Sequence, residues 1–279
     1  MEQLRFRKIH VDSRFKSSGT HSQFEFPLAE PFSTPEGTVC YVDNVSIPHS
    51  WLSVDNSNKY LYIAERAGGG PYTYTVRRIE LATGNHSGTT LKTALQTALN
   101  SNTPSTISAS YVVTHTLNTN KIAIASPAAS VFHILTDDEI QIYDNALYTI
   151  NKDSVQSANG LLRNREGGSS SSAGNYTYTD LYVSGSIDLL SHHSVYIHSS
   201  LASFNTLGPK GQSDIICKVP VSSSYGFSIH HNVSSAQDFS EVGKRSISSI
   251  SFSIRDAYGN LIDLEGAAWS LSLVFALKD

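Results

Sequence analysis

The sequence predicts an all-β protein, a single jelly-roll sandwich of about eight antiparallel strands with a small inserted elaboration of one helix plus strands. Three observations carry this. In the last thirty residues, Ile250, Phe252 and Ile254 alternate with serines, and Trp269, Leu271, Leu273, Phe275 and Leu277 alternate with small residues. That period of two is the mark of strands with one face on a core. From Tyr176 onward strand and turn signals follow one another almost without interruption. Only one stretch has a helical period, so repeated βαβ units and a parallel sheet are excluded.

Taken in order, residues 1–20 carry Arg5, Arg7, Lys8, Arg14 and Lys16 against Glu2 and Asp12 and run out in Ser17-Ser18-Gly19-Thr20. This pattern reads as an N-terminal arm, with those five basic residues as candidate assembly contacts. Contact with nucleic acid is unlikely except through this arm, and an ordinary solvated lead-in is favoured over it. Phe24, Phe26 and Leu28 make a short strand that Pro27, Pro31 and Pro35 limit or place at a sheet edge. Thr38 to Pro48 is a β-branched and aromatic core strand, and Tyr60 to Ile63 is another. The predicted core is 21–66 with 176–279; residues 67–175 are the predicted insertion.

Within that insertion Ala67-Gly68-Gly69-Gly70-Pro71 is a break, after which Tyr72, Tyr74 and Val76 alternate again. A helix is predicted over 89–100, capped by Thr89 or Thr90, because Leu91, Ala94, Leu95, Ala98 and Leu99 fall on one face. Strands are predicted over 107–114, 121–125 and 131–135. Residues 137–160 give no clear signal, and the Gly/Ser run within 163–175 reads as a mobile loop. After it come strands at 181–189, 194–198, 214–220, 225–231, 247–255 and 269–277. Asp256-Ala257-Tyr258-Gly259-Asn260 starts a loop that crosses the end of a sheet.

Bulk composition narrows function by exclusion. The chain has 279 residues, a net charge of −4 and 16 % charged residues, with abundant Ser, Thr and Asn. That is a neutral, hydroxyl-rich surface, not a polyanion binder. Two cysteines, Cys40 and Cys217, are too few for a disulfide framework. No leader-like apolar region or membrane-length apolar run is present, so the expectation is a chain made in the cytoplasm without a membrane span. The four glycosylation-type sequons are chance products of a Ser/Thr/Asn-rich chain.

No phosphate loop, Cys-x-x-Cys, His-Glu-x-x-His or Gly-x-Ser-x-Gly occurs. The pairs His192-His193 and His230-His231 point to opposite strand faces and cannot both ligate one ion, and no His-x-His supports a cupin-type metal site. No catalytic, cofactor-binding or metal-binding residue is therefore assigned, and no enzyme activity is expected. The fourteen tyrosines suit polar, wet contacts between subunits.

Six segments in order carry a resemblance. They are Val11–Arg14; Cys40–Trp51; Gly84–Gly88 leading into Leu91–Asn100; Val195–Ser199; Ile215–Val221; and Ser251–Asn260. Together they resemble the penton, or vertex minor capsid, proteins of virophages and Polinton-like viruses, similar in role to adenovirus penton base. The resemblance implies a structural protein of the virion without cofactor. Five copies would form a homopentamer at the five-fold vertices of an icosahedral capsid, among major capsid proteins of double jelly-roll fold, with insertions facing outward. The alternative is a jelly-roll module of a viral spike that binds glycans for attachment.

Overall fold

The structure is a computed structural model that describes residues 6–56, 58–67, 74–101, 110–127, 130–136, 139–140, 142, 176–202, 206–232 and 239–277. The chain divides into two compact units. One is 1–51 with 192–279, and the other is 52–191.

The first unit is a sandwich of antiparallel strands. One sheet has the order β1(Phe6–Asp12), β16(Ser270–Leu277), β4(Thr38–Pro48), β13(Ser228–Asn232), and β14(Phe239–Glu241) also pairs with β4. The other has the order β12(Ile215–Pro220), β11(Ser194–Ser199), β15(Ser246–Arg255), β3(Gln23–Ser33), β2(Ser18–Gly19). If β2 and β14 are set aside as extensions, eight strands remain. Numbered along the chain they fall in the orders 1-8-3-6 and 2-7-4-5, the double Greek key of a jelly roll.

Each strand follows its alternation. In β16, Leu271, Leu273 and Phe275 face the interior, and in β15, Ile250, Phe252 and Ile254 do, all of them buried. Between the sheets Phe24 lies 5.6 Å from both Phe252 and Trp269, the Trp269 contact edge-on. Phe32 meets Phe275 edge-on at 5.2 Å. Such aromatic pairs add about 0.5–1.5 kcal/mol each beyond area burial. The turn after β15 is held by Asp256, whose Oδ1 accepts the N–H groups of Tyr258 and Asn260, both at 2.8 Å. Gly259 takes a φ of 91°, which a side chain would oppose. The chain then passes from one sheet to the other before β16, as the loop reading expects.

The structure differs from the sequence-based division in two places. Residues 6–12 are not an arm but the first jelly-roll strand, in register with β16 from Phe6 opposite Ala276 to Asp12 opposite Ser270. As an edge strand it turns only Ile9 and Val11 toward the core, so its basic residues hide the alternation. Second, the inserted unit runs from 52 to 191 where 67–175 is predicted, and Tyr60–Ala67 belongs to it. The composition break after Ala67 lies inside the unit, not at its border. The predicted Gly/Ser loop at 163–175 lies outside the described residues.

The second unit has two three-stranded sheets, β10(Leu181–Ser186)-β8(Lys121–Ala125)-β7(Val112–Thr116) and β6(Thr75–Glu80)-β5(Tyr60–Ala67)-β9(Ser130–Ile134). Its helix α1 spans Gly88–Asn100. The cap is Ser87, two or three residues earlier than predicted, in a reciprocal box with Thr90. Leu91, Leu95, Ala98 and Leu99 share a core with Ile63, Ile79, Ile122 and Ile124.

A buried ionic clasp joins these elements. The Glu65 carboxylate, with a wholly buried side chain, accepts Arg77 Nη2 at 2.7 Å and Nε at 3.1 Å, and the Tyr111 hydroxyl at 2.7 Å. Arg77 also donates to the carbonyls of Leu99 and Ser101, both at 2.8 Å, which closes the end of α1. One guanidinium thus ties β5 and β6 to the helix terminus.

Two outcomes test this. Replacing Arg77 by Ala strands the Glu65 charge in the interior and should cost about 3–5 kcal/mol. Because Trp51 and Trp269 both lie in the sandwich unit, far-ultraviolet dichroism should show the earlier transition while tryptophan fluorescence holds its midpoint. Burial also pushes the Cys40 thiol up to about 12, and Cys217 is buried as well. A thiol reagent at pH 8 should therefore leave the native chain unmodified and label both cysteines in denaturant.

Candidate assembly surfaces

A sandwich with open sheets presents two flanks, each bounded by one edge strand of each sheet. One consists of β1 and β2–β3, joined through Ser13–Ser17; the other consists of β12 and β13, joined by residues 221–227.

The first flank contains the predicted contact residues. Arg5 lies outside the described residues. Arg7 places its guanidinium 4.5 Å over the Phe32 ring. Lys8 pairs with Asp43 at 2.7 Å, and that hydrogen bond holds the Asp43 carboxyl below its ordinary range. Arg14 grips Asp12 through Nε, at 3.0 and 3.1 Å, and through Nη2, at 2.6 Å. Lys16 stands near His21, where burial foremost and the lysine charge next lower the ring's proton affinity. Four basic residues are therefore described, and each meets its own neighbour. They do not converge on one site.

Beside them the chain is hooked to the last strand. Ser13 N–H donates to the Trp269 carbonyl at 2.9 Å, and Trp269 N–H donates to Ser13 Oγ at 3.0 Å. The Trp269 indole N–H donates to the His21 carbonyl at 2.7 Å. A neutral His21 ring can in turn accept the Ser13 hydroxyl, 2.8 Å from Nδ1.

On the second flank the β12–β13 loop holds two exposed aromatics, Tyr225 and Phe227, the latter 68 % exposed. The loop is rigidly placed. His49 N–H donates to the Phe227 carbonyl at 2.9 Å, Gly226 N–H donates to the His49 carbonyl at 2.8 Å, and His49 Nδ1 donates to the Ser223 carbonyl at 2.7 Å. The His49 ring rests 4.4 Å from Trp51. Exposed aromatics on a fixed loop are the usual anchors of protein interfaces. The sequence pattern placed these residues in a strand over 225–231; Ser222-Ser223-Ser224 and Gly226 were the available turn signal.

The inserted unit has an apolar face of its own. Across β7, β8 and β10, Val112, Ala125 and Leu181 stand in one row and Thr114, Ala123 and Val183 in the next. Val112, Leu181 and Val183 are each more than half exposed, while the opposite face, with Val113, Ile122 and Ile124, is buried.

The histidines do not gather. His230 and His231 occupy successive positions of β13, and His198 is buried with Nδ1 2.7 Å from Asp214 Oδ1. Among the described residues no three His, Cys, Asp or Glu side chains are grouped to hold a metal ion, and no helix is long and apolar enough to cross a membrane.

The Asp12–Arg14 fork gives a pH test. The fork, foremost, and the Arg14 backbone N–H hold the Asp12 carboxyl below its ordinary value of 3.8. A carboxyl depressed on folding stabilises above its unfolded value and loses that contribution as pH falls through the folded one. Protection factors of the 12–14 turn should thus hold from pH 7 to 4 and drop only below about 3.8. In Arg14→Gln that drop should shrink, because the folded and unfolded values of the Asp12 carboxyl then lie closer together.

No protein-family model matches the sequence, and no curated protein does. Among solved structures, the mavirus penton protein aligns over 98 % of this chain and 99 % of its own, at 11 % identity and a TM-score of 0.56. The Sputnik virophage, solved by cryo-electron microscopy, aligns over 99 % of each chain at 12 % identity and a TM-score of 0.46. The all-β jelly-roll architecture, with its inserted unit, is therefore a fold that this chain shares with the mavirus penton protein along nearly its whole length.

Proposed function

We propose that this chain is a structural capsid protein, a penton whose five copies close into a ring at the five-fold vertices of an icosahedral virion. One observation carries the reading. The eight-strand order with one large insertion between the third and fourth strands continues through the chain, and the fold matches a penton protein end to end. The major capsid protein of double jelly-roll fold is the neighbour the proposal assigns to the ring.

The surfaces fit that task. A ring needs heterologous contacts, so one flank must differ from and complement the other. Here one flank presents Arg7 and Lys8 on an edge strand and Arg14 in the turn after it, and the other presents Tyr225 and Phe227 on a fixed loop. A guanidinium on an aromatic face is a contact such flanks can make between copies, as Arg7 and Phe32 make it within one. The proposal asks no side chain to perform covalent chemistry.

Light scattering and electron microscopy of the full chain, alone and with the major capsid protein, test this. Rings near five times the 30.3 kDa chain mass are expected. Phe227→Ser should abolish them and leave the fold intact, since the ring is exposed. Arg7→Glu with Lys8→Glu should weaken them in a salt-dependent way, because an exposed pair such as Lys8–Asp43 gives the fold only about 0–1 kcal/mol. A strict monomer under both conditions would overturn the proposal.

A further inference from the structure

Within the inserted unit an open groove of about 1080 Å³ runs between β6 and α1. Its walls are Arg77 to Leu81 on the strand side and Thr90, Thr93, Ala94 and Thr97 on the helix side. The helix returns antiparallel to the strand, because Arg77 near the start of β6 bonds the carbonyls of Leu99 and Ser101 at the helix end. Thirteen helical residues give the groove a length of about 20 Å, enough for about six residues of extended chain.

Among the described residues the strand side of this groove is a sheet edge. Among the described residues β6 pairs only with β5. Leu81 N–H donates to the Lys59 carbonyl, and the register sets Ile79 opposite Leu61 and Arg77 opposite Ile63. Antiparallel alternation then points the N–H and C=O groups of Val76, Arg78 and Glu80 away from β5. The helix wall is low, made of threonines and alanines, so a backbone can approach closely.

Charge selects the occupant. The groove carries Lys59, Arg77 and Arg78 against Glu80, and Arg77 is already neutralised by the buried Glu65. Lys59 pairs with Glu80 at 2.7 Å. The Glu80 carboxyl is held low by Lys59 foremost, with Arg78 adding to the effect, so two cations share one carboxylate. The Arg78 guanidinium lies 4.5 Å over the Tyr60 ring, which fixes it in place.

We propose that the β6–α1 groove is a docking site for an extended, acidic polypeptide segment of a partner chain. The segment adds a strand to β6 and sets a carboxylate against Arg78. This goes beyond the penton reading and does not depend on it, since the insertion could recruit a peptide from a ring or from a single chain.

The test is selection of short random peptides on the immobilised full chain. Enriched sequences should carry Asp or Glu between small or β-branched residues. Binding should fall by about tenfold or more in Arg78→Glu, which meets the acidic residue, and in Thr93→Trp, which fills the groove from an exposed helix position. Leu117→Ser, outside the groove, should bind as wild type. Amides of Val76, Arg78 and Glu80 should exchange fast in the free chain and slow by about tenfold or more with an enriched peptide bound. No enrichment, a preference for basic peptides, binding indifferent to Arg78→Glu and Thr93→Trp, or unslowed β6 amides would each overturn the proposal. Ring formation, measured separately, reports on the penton reading alone.

Discussion

The sandwich depends on where its last strand goes. β16 lies between β1 and β4, so the sheet cannot close until residues more than 260 positions apart meet, as His10 and Ser272 do at 2.9 Å. Such non-local pairing is slow, because chain entropy is lost before contacts repay it. The inserted unit makes this less severe than its length suggests. Loop-closure entropy grows only with the logarithm of length, so a long insertion costs little more than a short one. The ends of the inserted unit are also tied together, with the Ser191 hydroxyl donating to the Leu52 carbonyl at 3.2 Å.

Much of this was legible in the amino-acid order. The alternations in 247–255 and 269–277, the proline stop at Pro48 and the helical face of Leu91, Leu95 and Leu99 all read correctly, because each is buried on one side over several residues. The lost information is equally physical. An edge strand needs only two inward apolar residues, and Arg7, Lys8 and His10 between Phe6 and Val11 look like a solvated lead-in. Tyr60–Ala67 looks like a sandwich strand because a strand in any sheet has the same period. Burial of Glu65 and Arg77 has no sequence mark, since each stands next to another charged residue, Arg66 and Arg78, and only the fold brings the two within 2.7 Å.

The candidate surfaces divide the same way. The five basic residues could be named from composition, but two of their partners, Phe32 and Asp43, come from other strands, and only Asp12 is a neighbour in sequence. The exposed Tyr225 and Phe227 were hidden in what reads as a strand, and the outer face of β7, β8 and β10 can be seen only when three distant segments are set in register. What a sequence shows well is what is hidden from water. The surfaces by which a protein meets another copy of itself come mostly from topology.

The hook between Trp269 and the Ser13–His21 turn has a bearing on biosynthesis. The first strand is synthesised with no neighbour to pair with, and it waits more than 250 residues until Trp269 arrives to latch it. A prematurely terminated product would lack that latch and its strand, exposing raw edges on both β1 and β4 that a chaperone or protease can recognise. Synthesis of β16 thereby becomes a checkpoint, because until those residues exist the first sheet has neither its centre nor its closing contact.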